Sequence, residues 1–128
     1  MRFRWIALAS LVTLAGCGTG TQTRNFSVYF QPYSAELDKQ AKETAETAAQ
    51  YAQAHAALPV AIEGYSAPAD PGRDIDGLSA QRADAIKRVL TAAGVSATRI
   101  STNANGSIDP RPMPQLSVRR VDIAVGGP

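Results

Sequence analysis

The chain has 128 residues with one Cys, one His, and 13 Lys or Arg against 11 Asp or Glu. A single cysteine excludes an internal disulfide, and no His/Cys cluster has metal-ligand spacing. The near-even charge, without clustered Lys and Arg, argues against a nucleic-acid surface.

Arg2 and Arg4 open the chain, and an apolar run follows from Trp5 to Ala15, broken only by Ser10 and Thr13. That run is about 11 residues, and a spanning helix needs roughly 20. A basic start, a short apolar core and then small residues form the layout of a secretory signal. Leu14-Ala15-Gly16-Cys17 resembles the lipobox of bacterial lipoproteins. The resemblance implies cleavage after residue 16, a diacylglyceryl group on the Cys17 thiol and an acylated new amino terminus. In a Gram-negative host, Gly18 rather than Asp after the cysteine implies sorting to the outer membrane. Lipidation also removes the liability of a free thiol in an oxidising compartment, and two or three acyl chains hold far more firmly than one. Loss of Arg2 and Arg4 with the signal leaves 11 bases against 11 acids, so the mature chain is neutral on paper. Its 112 residues, from Cys17 to Pro128, fit one domain.

The expected organisation is a signal over 1–16, a lipidated cysteine with a flexible polar tether over 17–25, and a folded domain over 26–128. The eight residues from Gly18 to Asn25 span at most roughly 27 Å. Phe26, Val28 and Phe30 alternate on one face and predict the first strand. Ser34 is the expected N-cap of a helix running to about Ala57, with Glu36 and Asp38 in its first turn. Leu37, Ala41, Thr44, Ala48, Tyr51, His55 and Leu58 make its apolar stripe. Pro59 ends it, and Val60, Ile62 and Gly64 begin the inward face of a second strand. A loop rich in Pro, Gly and Asp follows over 67–77. The second helix is expected from Ser79 to Gly94, with Ala83, Ile86, Val89, Leu90 and Ala93 buried and an Asp84–Arg88 pair on the wet side. The third strand is expected over Arg99–Ala104, with Ile100, Thr102 and Ala104 on one face. A proline-containing loop and a fourth strand over Val118–Val125 complete the chain. The fold class is α/β (α+β): a two-layer sandwich ordered strand-helix-strand-helix-strand-strand, with a mixed four-stranded sheet and both helices on one face.

No catalytic constellation stands out. His55 lies on the first helix stripe with no nucleophile or second ligand nearby, and reads as a packed or edge-of-core residue. Asp70, Asp74 and Asp76 lack the closing Glu of a calcium loop and read as a solvated acidic segment. No cofactor and no metal are expected.

The segment from Gly64 to Ala83, Gly-Tyr-Ser-Ala-Pro-Ala-Asp-Pro-Gly-Arg-Asp-Ile-Asp-Gly-Leu-Ser-Ala-Gln-Arg-Ala, resembles the signature of the OmpA-like family. Peptidoglycan-associated lipoproteins and the C-terminal domains of OmpA porin-like proteins are members. The family pattern is Gly-His-Thr-Asp, a Gly-containing loop with an Asn, then Leu-Ser-x-x-Arg-Ala. Gly64, Leu78, Ser79, Arg82 and Ala83 align with it. Phe26 to Leu37, Gly94-Val95 through Arg99-Ile100, the Gly106–Pro110 spacing and Arg119-Arg120-Val121-Asp122-Ile123 extend the likeness across most of residues 26 to 125.

The resemblance implies non-covalent binding of peptidoglycan through the diaminopimelate end of its stem peptide. That end is a zwitterion: a guanidinium meets its carboxylate with paired hydrogen bonds, and an acid meets its ammonium. Arg82 matches the family arginine and is expected in the first turn of the second helix, where free N–H groups favour an anion. The family aspartate position is Ala67 here, and Ile75 and Val118 replace two polar positions. Asp70 is the expected substitute acid, with Asp74 or Asp76 as alternatives, and Ser66 and Arg119 are expected helpers. The implied protein is a non-enzymatic lipoprotein of the outer membrane that faces the periplasm and tethers membrane to wall. The alternative is an envelope scaffold module that has lost wall binding.

Overall fold

The computed structural model describes residues 23–67, 75–108 and 111–126. The expected signal, Cys17, Asp70 and Asp74 lie outside the described residues, as does the side chain of Asp76. Elements follow in the order β1 (Arg24–Tyr29), α1 (Lys39–Ala54), β2 (Val60–Ser66), α2 (Ile75–Ala92), β3 (Ile100–Ser107) and β4 (Arg120–Val125), with short 3-10 turns at Ala97–Arg99 and Gln115–Val118. This is the expected order, with two helices and one mixed sheet.

The sheet order is β1-β4-β2-β3. Chain-terminal β4 slots between β1 and β2 and runs antiparallel to both, while β2 and β3 are parallel. Val28, Val60, Ile62, Val121, Ile123 and Val125 form the sheet side of the core, each at 1% exposure or less. Period-two alternation therefore places the apolar set of β2 and β4 where the sequence puts it. Edge strand β3 differs: of the trio expected on one face only Ile100 is buried, and Thr102 and Ala104 are exposed.

Helix α1 starts later than expected. Asp38, not Ser34, caps it by accepting from the Ala41 N–H at 2.7 Å. Ser34 closes a local turn on the Glu36 N–H at 3.0 Å. The buried face is Ala41, Ala45, Ala48, Ala49 and Ala52, with Leu37, Tyr51 and Leu58 partly buried around it and His55 exposed. Small side chains take the position nearest the sheet because they let the helix axis approach, which pushes the large members of the stripe to the rim. The Arg99 side chain donates to the carbonyls of Ala52, His55 and Leu58 at 2.7–3.1 Å and so satisfies the open C-terminal end of α1.

Helix α2 begins at Ile75, a turn before the expected Ser79, so Arg82 is not in its first turn. Gly77, which argued for a loop, costs only about 1 kcal/mol inside a helix. Ala83, Ile86 and Leu90 are buried, Val89 is partly buried and Ala93 is exposed. Gly94 takes φ 102°, as a helix-terminating glycine should. Arg88 donates to the Asp84 backbone carbonyl at 3.3 Å rather than to its carboxylate.

Gly64 decides how close α2 comes to the sheet. A Cβ there would lie 2.2 Å from the Ser79 carbonyl oxygen. Ser79 Oγ in turn accepts from the Gly106 N–H of β3 at 3.1 Å. Substitution Gly64→Ala must move the helix backbone, and is expected to cost about 3 kcal/mol, read as a lower urea midpoint at unchanged slope.

Candidate functional site

The site lies at the end of the sheet where β1 and β2 finish and β4 begins. Arg82 projects from α2 into this end with 0% exposure, the largest fully buried side chain among the described residues. Its guanidinium spreads over three backbone carbonyls: Nε donates to Ser34 at 2.8 Å, Nη1 to Tyr65 at 3.0 Å and Nη2 to Gln31 at 3.1 Å. The Phe30 ring lies beneath it, 5.2 Å from ring centre to guanidinium carbon. The planar fork, with five N–H donors, serves three acceptors from two chain segments at once. This also explains the late start of α1. Residues 31–38 must first wrap the arginine in non-helical conformation, and the Ser34 carbonyl is spent on it.

Burial pushes the Arg82 guanidinium down to about 10, and the charge of Arg119 adds to the effect. It stays positive at neutral pH. Among the described residues no carboxylate pairs with it. Carbonyl dipoles and a ring face carry the compensation instead.

Arg119 caps the 3-10 turn before β4, its carbonyl accepting from the Phe30 N–H at 2.8 Å. Its side chain is partly exposed, and its Nε is buried with no hydrogen-bond partner among the described residues. Two guanidinium groups that repel each other, one of them on a partly exposed side chain, make this end attractive to an anion. Ser66 is buried at 0% on the helix-facing side of β2, and its carbonyl accepts from the Ile108 N–H at 3.1 Å. It is part of the wall behind the site. Tyr65 contributes only its carbonyl. Its side chain lies on the other face of the sheet, where its hydroxyl donates to Glu63 at 2.8 Å beneath Arg120. Burial first, then the Glu63 contact, raises that hydroxyl to about 12.

One feature escapes sequence reasoning. Tyr33 sits at φ 54° and is 54% exposed. It follows Pro32 in the turn closed by the Ser34 N–H on the Gln31 carbonyl at 3.3 Å, the place where such turns favour glycine. A bulky residue in left-handed conformation costs on the order of 1 kcal/mol, and such strain gathers at functional sites. Proline at the preceding position is the signal that could have found it. His55 lies far from this end: it is exposed, stacked on Tyr51 at 4.1 Å, with Nδ1 2.8 Å from the Tyr51 carbonyl.

The OmpA family matches residues 29–121, and the chain belongs to that family. Many solved structures share its fold, two of which follow. The peptidoglycan-associated lipoprotein of Burkholderia pseudomallei is similar at a TM-score of 0.68 and 24% identity, over 78% of this chain and 89% of that one. The C-terminal domain of Helicobacter pylori MotB is similar at a TM-score of 0.68 and 20% identity, over 76% of this chain and 81% of that one. No curated protein matches.

Replacing Arg82 with Ala leaves three carbonyls without their donor and a cavity at the core's edge. The expected loss is about 3–5 kcal/mol, measured by urea unfolding. Arg82→Lys is expected to recover less than half of it, since one ammonium cannot span the three acceptors.

Proposed function

We propose that this chain is a non-enzymatic, lipid-anchored protein of the outer membrane that faces the periplasm and holds peptidoglycan. Acyl chains on Cys17 hold the bilayer. The Arg82–Arg119 end meets the carboxylate of the diaminopimelate stem peptide, and Asp70 takes the ammonium that the family aspartate would take. Arg119 supplies the accessible guanidinium. Arg82, wholly buried, fixes the frame and adds its charge from behind. Exposed Tyr33 forms the rim.

The observation that carries this reading is polarity. β1 starts at Arg24 and ends beside the Arg82 site, so the tether leaves one end of the sheet and the candidate site occupies the other. β1 also begins two residues sooner than expected. Gly18 to Thr23 then leaves six residues, at most roughly 20 Å. An anchored domain would present Arg119 away from its membrane, toward the wall.

A second reading has its own support. Arg82 at 0% exposure with three carbonyl partners is what a structural clamp looks like. With Ala67 in place of the acid, the domain would then be an envelope scaffold.

Retention on purified sacculi separates the two. The first reading expects the mature chain to be retained. Arg119→Ala should cut retention tenfold or more, as loss of a ligand-facing charge partner does, with Tm within about 2 °C. Tyr33→Gly should raise stability by about 1 kcal/mol while weakening retention. If the unaltered chain is not retained and Ala67→Asp creates retention, the scaffold reading holds.

A further inference from the structure

The end of the domain where the tether leaves has a charge character of its own. It is made of residues 23–25, 47–60, 85–101 and 124–126. These hold Arg24, Lys87, Arg88 and Arg99, and no Asp or Glu. The opposite end mixes both signs, with Glu36, Asp38, Glu43 and Glu46 among Lys39, Lys42, Arg119 and Arg120. Arg88 borders the groove between the helices that Glu46 also lines, so the surface of one sign facing the anchor is that of Arg24, Lys87 and Arg99.

The cations are built into the surface. The Arg24 guanidinium is held over the Phe26 and Tyr51 rings at 5.4 and 5.1 Å. The Tyr51 ring is stacked on exposed His55. Arg99 completes the rim, gripping the carbonyls at the end of α1. Lys87 and Arg88 lie in the last two turns of α2, with Arg88 exposed. An aromatic ring half in contact with apolar neighbours, flanked by fixed cations, suits the boundary between water and lipid headgroups.

From this we infer that the tether end of the domain is a docking face for anionic phospholipid headgroups, and that it orients the anchored domain on its bilayer. The inference rests on the lipid-anchored reading of Cys17. A tether of at most roughly 20 Å lets this end come to within one Debye length, about 8 Å, of the surface, where each Lys or Arg strengthens attraction to anionic lipid about fivefold. Docking there fixes the long axis of the sheet, so the Arg82 end points outward instead of sweeping along the membrane.

The test uses the mature chain, coupled through its single cysteine to a maleimide lipid. It is placed in vesicles of phosphatidylcholine alone or of equal parts phosphatidylcholine and phosphatidylglycerol. Amide hydrogen exchange is then followed. Residues 51–58 and 93–99 are expected to exchange about fivefold more slowly on the anionic vesicles, with 31–38 unchanged. Molar salt, where the Debye length is about 3 Å, should abolish the difference. So should the combined variant Arg24→Gln, Lys87→Gln, Arg88→Gln. Equal exchange on the two vesicle types overturns the inference, as does slowing at 31–38 instead, or slowing that survives molar salt. Coupling through Cys17 keeps this test separate from native acylation. A cell-derived protein without an acyl group sinks the anchored reading, whereas these exchange rates judge the docking face.

Discussion

The Arg82 guanidinium donates to the carbonyls of Gln31, Ser34 and Tyr65, and the shape of one end of the domain follows from those three bonds. They tie the β1–α1 connection to the end of β2. They hold residues 31–38 out of the helix, which moves the cap of α1 to Asp38. They place the Gln31 carbonyl in a tight turn that forces Tyr33 to positive φ. A buried charge is costly unless its hydrogen bonds are met, so the chain around Arg82 has little freedom to be otherwise. The same bonds leave Arg119 beside a fixed positive charge, with one donor unspent among the described residues.

The sheet gives the molecule two ends of different make-up. β4 pairs with both β1 and β2, which brings the start of β1 and the ends of both helices together at one end, and collects Phe30, Tyr65, Arg82 and Arg119 at the other. Gly64 then sets the distance between layers, because α2 crosses β2 with the Ser79 carbonyl where a side chain would stand. Arg99 does at the end where β1 starts what Arg82 does at the other. Each spreads one guanidinium over carbonyls that a loop or helix end leaves open. The chain thus uses two arginines as covers for backbone polar groups, which explains part of their presence without any ligand.

Family membership and fold were legible in the residues. Alternation in β2 and β4, the stripe of α2, the terminating Gly94 and the frame Gly64, Leu78, Ser79, Arg82, Ala83 all point the same way. The structure departs from local signals where a distant contact outweighs them. Ser34 is a good cap by type, but its carbonyl belongs to Arg82. Gly77 looks like a loop residue, but the helix runs through it. Ser66, an expected helper in binding, is buried on the helix-facing side of β2. The stripe of α1 predicts Tyr51 and His55 on its packed face; Tyr51 is partly buried against the core and His55 is exposed, because close approach to the sheet favours the alanines.

By itself, the sequence determined the element order, the apolar faces and the arginine at the family position, because those depend on period and on residue type within a short window. Only the tertiary structure decided what that arginine touches, how exposed it is, and which end of the sheet it shares with Arg119. The reason is physical. The three carbonyls that hold Arg82 lie 17 to 51 residues away along the chain. No local pattern encodes a partner at that separation, and only the β1-β4-β2-β3 order brings the partners together.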